Sequence, residues 1–134
     1  MNTAARIDYD VIRMLAGMSE DDEPEFLYLI VSMFLKSAPS ILDELKQSAA
    51  AGDLRFLQKT SHDLKSSSAT LGALALAGLC ADLEARVRAG TQQDTAALVR
   101  EIALEFEAVQ PVLESLLADE SRSYLTAPQD ETVT

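Results

Sequence analysis

The sequence predicts an all-α chain folded as an antiparallel up-down four-helix bundle with a short additional N-terminal helix. Three observations carry this. Apolar residues recur at steps of three and four over long stretches, and no stretch alternates with a period of two. Leu and Ala, both good helix formers, dominate the composition. The long periodic segments are separated by single turns at Gly52-Asp53, Gly72 and Gly90, and connections this short leave successive helices antiparallel.

Residues 1 to 6 are expected to fray. Asp8 caps a short helix through about Leu15, with Ile7, Val11, Ile12 and Leu15 at helical spacing, and Gly17 stops it. Met18 to Glu23 is an acidic connector, better explained as a solvated approach to a helix than as a cation site. Pro24 suits the first turn of a second helix, where its missing N–H is harmless, and Asp21, Asp22 and Glu23 favour the positive end of that helix's dipole. This helix runs to about Ala50, with Phe26, Leu27, Ile30, Phe34, Ile41, Leu42 and Leu45 inward. Pro39 removes a backbone donor mid-helix and predicts a kink. The alternative is two helices meeting at Ser37-Ala38-Pro39. Gly52 ends the helix in left-handed geometry and Asp53 caps a third, which runs to about Leu71 and is closed by Gly72. The fourth spans about Leu74 to Ala89, with Leu76, Leu79, Cys80, Leu83 and Val87 inward, and Gly90 closes it. Asp94 caps a fifth reaching about Leu117, with Leu98, Ile102, Phe106, Val109, Leu113 and Leu116 inward and a bend at Pro111. Met14, Met18 and Met33 are assigned to the core or to a groove. Residues 1–118 form one domain; 119–134, polar and without apolar period, form a mobile tail.

A chain of 134 residues with 48% hydrophobic residues is one globular domain with a core of its own. Trp is absent and aromatics are few, so aliphatic side chains must build that core. The net charge of −11 argues against nucleic acid or an anionic membrane surface as partner. Cys80 is alone, which excludes a disulfide framework and a cysteine metal cluster and fits a reducing compartment. Met1 to Arg6 lacks the layout of a signal peptide. The most apolar run, Phe26 to Leu35, is too short to span a bilayer and is soon followed by Lys36 and Pro39. A soluble, cytoplasmic monomer without membrane insertion is expected. Met1 and the polar tail favour a stand-alone protein over a piece of a larger sensor.

The third helix holds the only histidine. Leu54, Leu57, Leu64 and Leu71, with small Ser61 and Ser68, make its inner row. At about 100° per residue, His62 lies roughly 130° from the centre of that row and points outward or sits at the rim. Arg55, Gln58, Lys59, Lys65, Ser66 and Ala69 share its side. Ser61 and Ser68 are expected to pack inward and bond back to helix carbonyls, with Ser67 close to doing the same. From Asp53 to Leu71 the charge is +1, from Arg55, Lys59 and Lys65 against Asp53 and Asp63. An exposed imidazole is a nucleophile near neutral pH and can form a phosphoramidate if positive charge meets the anion and small neighbours leave the approach open.

The run His62, Leu64, Lys65, Ser66, Ser67, Ser68 with Gly72 a turn further on resembles the phosphorylation-site helix of the histidine-containing phosphotransfer (HPt) family, whose pattern is His-x-Leu-Lys-Gly-Ser-Ser. The likeness extends over about residues 8 to 118, through Phe34, Ile41, Gly52-Asp53, Leu57, Leu79-Cys80, Leu83-Glu84 and Arg88-Ala89-Gly90. One position departs: Ser66 stands where the family has glycine, whose missing side chain lets a partner's loop approach. The resemblance implies a phosphorelay carrier that accepts a phosphoryl group on His62 from a receiver-domain aspartate and passes it to another response regulator. It implies that Lys65 stabilises the phosphoryl group and that Arg55, Gln58, Lys59, Ser66 and Ala69 meet the partner. Lys65 is otherwise an ordinary surface lysine. The implied partners are response-regulator receiver domains and a hybrid sensor histidine kinase. The implied Mg²⁺ belongs to the receiver, and the chain has no cofactor or metal of its own. No glycine-rich phosphate loop or nucleotide motif occurs, so the chain is expected to be a carrier and not a kinase. The competing function is a non-transferring adaptor that binds or sequesters receivers through the same face, a reading that Ser66 alone favours. Metal binding is weak, with one histidine and no inward carboxylate cluster expected.

Overall fold

The computed structural model describes residues 7–18 and 25–119. Five helices follow in chain order: α1 (Tyr9–Ala16), α2 (Glu25–Ala51), α3 (Leu54–Thr70), α4 (Leu74–Arg88) and α5 (Thr95–Ala118). Helices α2 to α5 form a four-sided bundle. Each packs on two neighbours, α3 and α4 most closely, and α1 rests against α2. The fold is therefore the all-α bundle with a short leading helix that the apolar spacing predicts. The expectations for residues 1–6, for 19–24 and for 120–134 lie outside the described residues.

The helix ends show why the chain turns where it does. The Asp8 carboxylate accepts a hydrogen bond from the Asp10 N–H at 3.0 Å, and Asp53 accepts from the Phe56 N–H at 3.1 Å. Gly72 has φ +76, and a Cβ there would lie 2.9 Å from the Asp8 carbonyl oxygen. Its own carbonyl accepts from the Asp8 N–H at 2.8 Å, so the α3–α4 turn also anchors the start of α1.

Three expectations need correction. Asp94 sits at the N-cap of α5 but in the left-handed region at φ 67, and its side chain makes no capping bond. That backbone turns its carboxylate aside, where it pairs with Arg86 at 3.5 Å, while the Thr95 hydroxyl donates to the Gln92 carbonyl at 3.0 Å. Pro39 lies inside a single α2, as expected, rather than between two helices. It and Pro111 lie within continuous helices on exposed faces, where water can satisfy the freed carbonyls. Met14 and Met18 are exposed rather than core, whereas Met33, though exposed, lines a groove as expected. In α2 the buried row is Leu27, Val31, Phe34, Ala38, Leu42, Leu45 and Ser48; Phe26, Ile30 and Ile41 sit at its edge.

The core is aliphatic apart from Phe34 and Phe106, whose rings meet at 5.9 Å between centroids and tie α2 to α5. By length and composition α2 is apolar enough to cross a membrane, more so than the run Phe26 to Leu35 suggests. Here its inner row forms one wall of the bundle.

Candidate functional site

Burial of Leu57, Thr60, Ser61, Leu64 and Ser68 fixes the rotation of α3. His62 therefore faces out, with 52% of its side chain exposed. Arg55, Lys59, Ser66 and Ala69 are exposed on the same helix, and Gln58 and Lys65 are partly buried. Because α3 and α4 form an antiparallel hairpin around Ala73, residues equally far from that turn face one another. His62 and Glu84 are such a pair, twenty-two positions apart.

Glu84 organises the site. Its side chain is only 4% exposed, yet three basic groups converge on it. The His62 Nδ1 lies 3.0 Å from Oε2, the Lys65 Nζ 2.7 Å from Oε1, and an Arg88 guanidinium nitrogen 2.9 Å from Oε2. The Lys65 hydrogen bond, followed by that of His62 and the charges of Lys65 and Arg88, holds the Glu84 carboxyl below its usual 4.5, against burial, which pushes it up. An ionised carboxylate only accepts, so the proton between Glu84 and a neutral His62 ring belongs on Nδ1. That leaves the lone pair on Nε2, the nitrogen turned away from Glu84 toward solvent.

Beside the ring is an open shelf of about 330 Å³ lined by Arg55, Gln58, Lys59, His62, Asp63, Glu84 and Arg88. Lys59 is paired with Asp63 at 3.2 Å. On the other flank of α3, an apolar groove of about 440 Å³ runs between Ile30, Met33 and Phe34 on α2 and Ser67, Thr70 and Leu71. Ser61 and Ser67 donate to the carbonyls of Gln58 and Asp63, as expected, but the buried Ser68 hydroxyl has no partner. Cys80 is fully buried and its thiol is pushed up to about 12 by desolvation, so it is inert as a nucleophile.

All seven residues singled out in the sequence thus lie on α3, and five of them share the site with its histidine or its carboxylate: Arg55, Gln58, Lys59, His62 and Lys65. Ser66 and Ala69 lie further along the helix. Glu84 and Arg88 were missed as site residues; Glu84 is a single inward carboxylate. The signal was present: Glu84 stands four residues after Cys80 and three before Val87, a carboxylate on the apolar row of α4. Among the described residues no group of three or more potential ligands could hold a metal ion.

The model of the Hpt domain family matches residues 29–111. The chain belongs to that family. Across 82% of its length this Hpt domain superposes on 92% of histidine-containing phosphotransfer protein B from Pseudomonas aeruginosa PAO1, with a TM-score of 0.75 and 29% identity. It shares the fold of an HPT domain from a Shewanella sensor hybrid histidine kinase, with a TM-score of 0.74, 18% identity, and 88% and 98% of the two chains covered. It is 36% identical over 74 residues to multistep phosphorelay regulator 1 of Schizosaccharomyces pombe; those residues are 55% of this chain and 25% of the relative, so the match spans about a quarter of that protein. The activity that goes with the family is histidine phosphotransfer in phosphorelays, the work of a phosphocarrier and not of a kinase.

Proposed function

We propose that His62 is the phosphoacceptor of this Hpt domain. Its Nε2 takes a phosphoryl group from the aspartyl phosphate of one receiver domain and yields it to the aspartate of another. The observation that carries this is the Nδ1 contact with Glu84, which orients the one exposed imidazole and leaves Nε2 basic and facing solvent. In the first transfer the Nε2 lone pair attacks phosphorus, the P–O bond to the donor aspartate breaks, and that bond's electrons leave with the carboxylate. The Nδ1 proton stays on the ring, facing Glu84, so the positive charge that develops on the imidazole is met by a fixed negative one. Onward transfer reverses the step: an incoming carboxylate attacks phosphorus and the N–P electrons return to Nε2. Positioning supplies most of the catalysis, and the Mg²⁺ that assists it belongs to the receiver.

Lys65 has a double part in this reading. At rest it neutralises Glu84, and from one turn along α3 its ammonium can turn to the phosphoryl oxygens once they form. The docking face consists of Arg55, Gln58, Lys59, Ser66 and Ala69, with the apolar groove beside α3 as its second half. A hybrid sensor kinase is the expected upstream source, and the relay runs in the cytoplasm between monomeric carriers and receivers. The test is incubation with phosphorylated receiver. Label should appear on the wild type and vanish in His62→Gln, while label retained by that variant would reject the assignment. Receiver binding that survives His62→Ala, with no label ever seen on the wild type, would favour the adaptor reading that Ser66 raises.

A further inference from the structure

The donors gathered at Glu84 are already engaged. Lys65 and Arg88 both hold its carboxylate, at 2.7 and 2.9 Å, and Lys59 holds Asp63 at 3.2 Å. Two donors on the shelf are not. Among the described residues the exposed Arg55 guanidinium has no ion pair, and the partly buried Gln58 amide has no side-chain hydrogen bond.

Their placement matters because side chains on a helix lean toward its N-terminus. The His62 ring therefore overlies the turn that carries Gln58, four residues earlier. With Nδ1 turned to Glu84, Nε2 faces the open shelf. Arg55 lies one turn further on, about 10 Å along the axis from His62, a gap that a long arginine and a group projecting from the ring close from both sides.

We infer that Gln58 and Arg55 form the seat that holds the phosphoryl group on His62 between the two transfers. This rests on His62 being the acceptor and adds two positioning residues to it. The Arg55 fork takes two phosphoryl oxygens and the Gln58 NH₂ donates to the third. Lys65 can contribute only by loosening its hold on Glu84, whereas these two give up nothing. The seat draws negative charge off the phosphoryl group, which weakens its push on the N–P bond, and it covers phosphorus against water until an aspartate arrives in line.

The test uses the isolated phosphorylated chain, freed of its donor receiver, in wild-type, Arg55→Gln, Arg55→Lys and Gln58→Glu forms. The lifetime of the phosphohistidine and its ³¹P chemical shift are read, with Tm as the folding control. Arg55→Gln should shorten the lifetime several-fold and move the ³¹P resonance, with Tm unchanged. Arg55→Lys should recover part of the lifetime. Gln58→Glu, which sets a like charge beside the dianion, should shorten it further. Lifetimes and shifts equal to wild type in both Arg55→Gln and Gln58→Glu overturn the seat, including the case where only transfer to a receiver slows, since that marks a docking role. Label that persists in His62→Gln overturns the acceptor assignment itself, an outcome separate from either.

Discussion

At the scale of single residues, Glu84 decides how His62 behaves. Glu84→Ala removes the acceptor for Nδ1–H and frees the ring to rotate and to exchange tautomers. Phosphorylation of His62 should slow by about tenfold, the worth of one hydrogen bond to a charged group, as read by the initial rate of labelling. Glu84→Gln keeps an acceptor for Nδ1–H but loses the charge that meets the developing imidazolium, so its rate should fall between those of the wild type and Glu84→Ala. The same carboxylate also ties stability to pH. Its folded value is held below 4.5, so its ionised form favours the folded state above that pH, and the contribution is lost as pH falls through the lowered value. The wild type should therefore melt above Glu84→Gln near neutrality, and the two melting curves should converge in acid.

At the scale of the helix, the sharpest test lies in the turn between α3 and α4. Gly72→Ala must adopt φ +76 and place a methyl 2.9 Å from the Asp8 carbonyl oxygen. The backbone strain alone costs about 1–2 kcal/mol, and the clash adds to it. Chemical denaturation should show a loss at least that large, together with earlier amide exchange in α1. The helices and their glycine turns were legible in the sequence because they rest on local signals: spacing, caps and positive-φ positions. His62 was legible for the same reason, since four leucines and two serines fix the rotation of α3. What escaped needed two helices at once. Glu84 becomes part of the site only through the α3–α4 pairing, and no pattern confined to α3 contains it. Counting outward from Ala73 would have found it, because antiparallel partners are equidistant from their turn. Met14 and Met18 were misassigned because a flexible apolar side chain suits either side of a helix, and Asp94 because its sequence shows a capping residue but not its left-handed backbone.

At the scale of the molecule, charge is unevenly shared. Within α3 and α4 the basic residues Arg55, Lys59, Lys65, Arg86 and Arg88 outnumber Asp63, Asp82 and Glu84, while α5 carries Glu101, Glu105, Glu107 and Glu114 against Arg100. The chain as a whole stands at −11. A partner with an acidic pocket is thus drawn to one side and repelled from the other, which speeds productive encounter. The second-order rate of phosphotransfer should fall as salt rises from about 0.05 to 0.5 M, as the screening length shrinks below the size of the docking face. The first-order decay of the isolated phosphoprotein should depend on salt far less. Stopped-flow and single-label decay measurements over that range separate the two.

The grip of Glu84 on Nδ1 also makes the protein its own reporter. A chain with one imidazole gives one pair of ring ¹⁵N resonances, free of overlap and needing no assignment. A ring locked by a neighbouring carboxylate should show one pyrrole-like and one pyridine-like nitrogen instead of an averaged pair. Whether the carrier is empty, loaded or docked can then be followed on a single atom in real time.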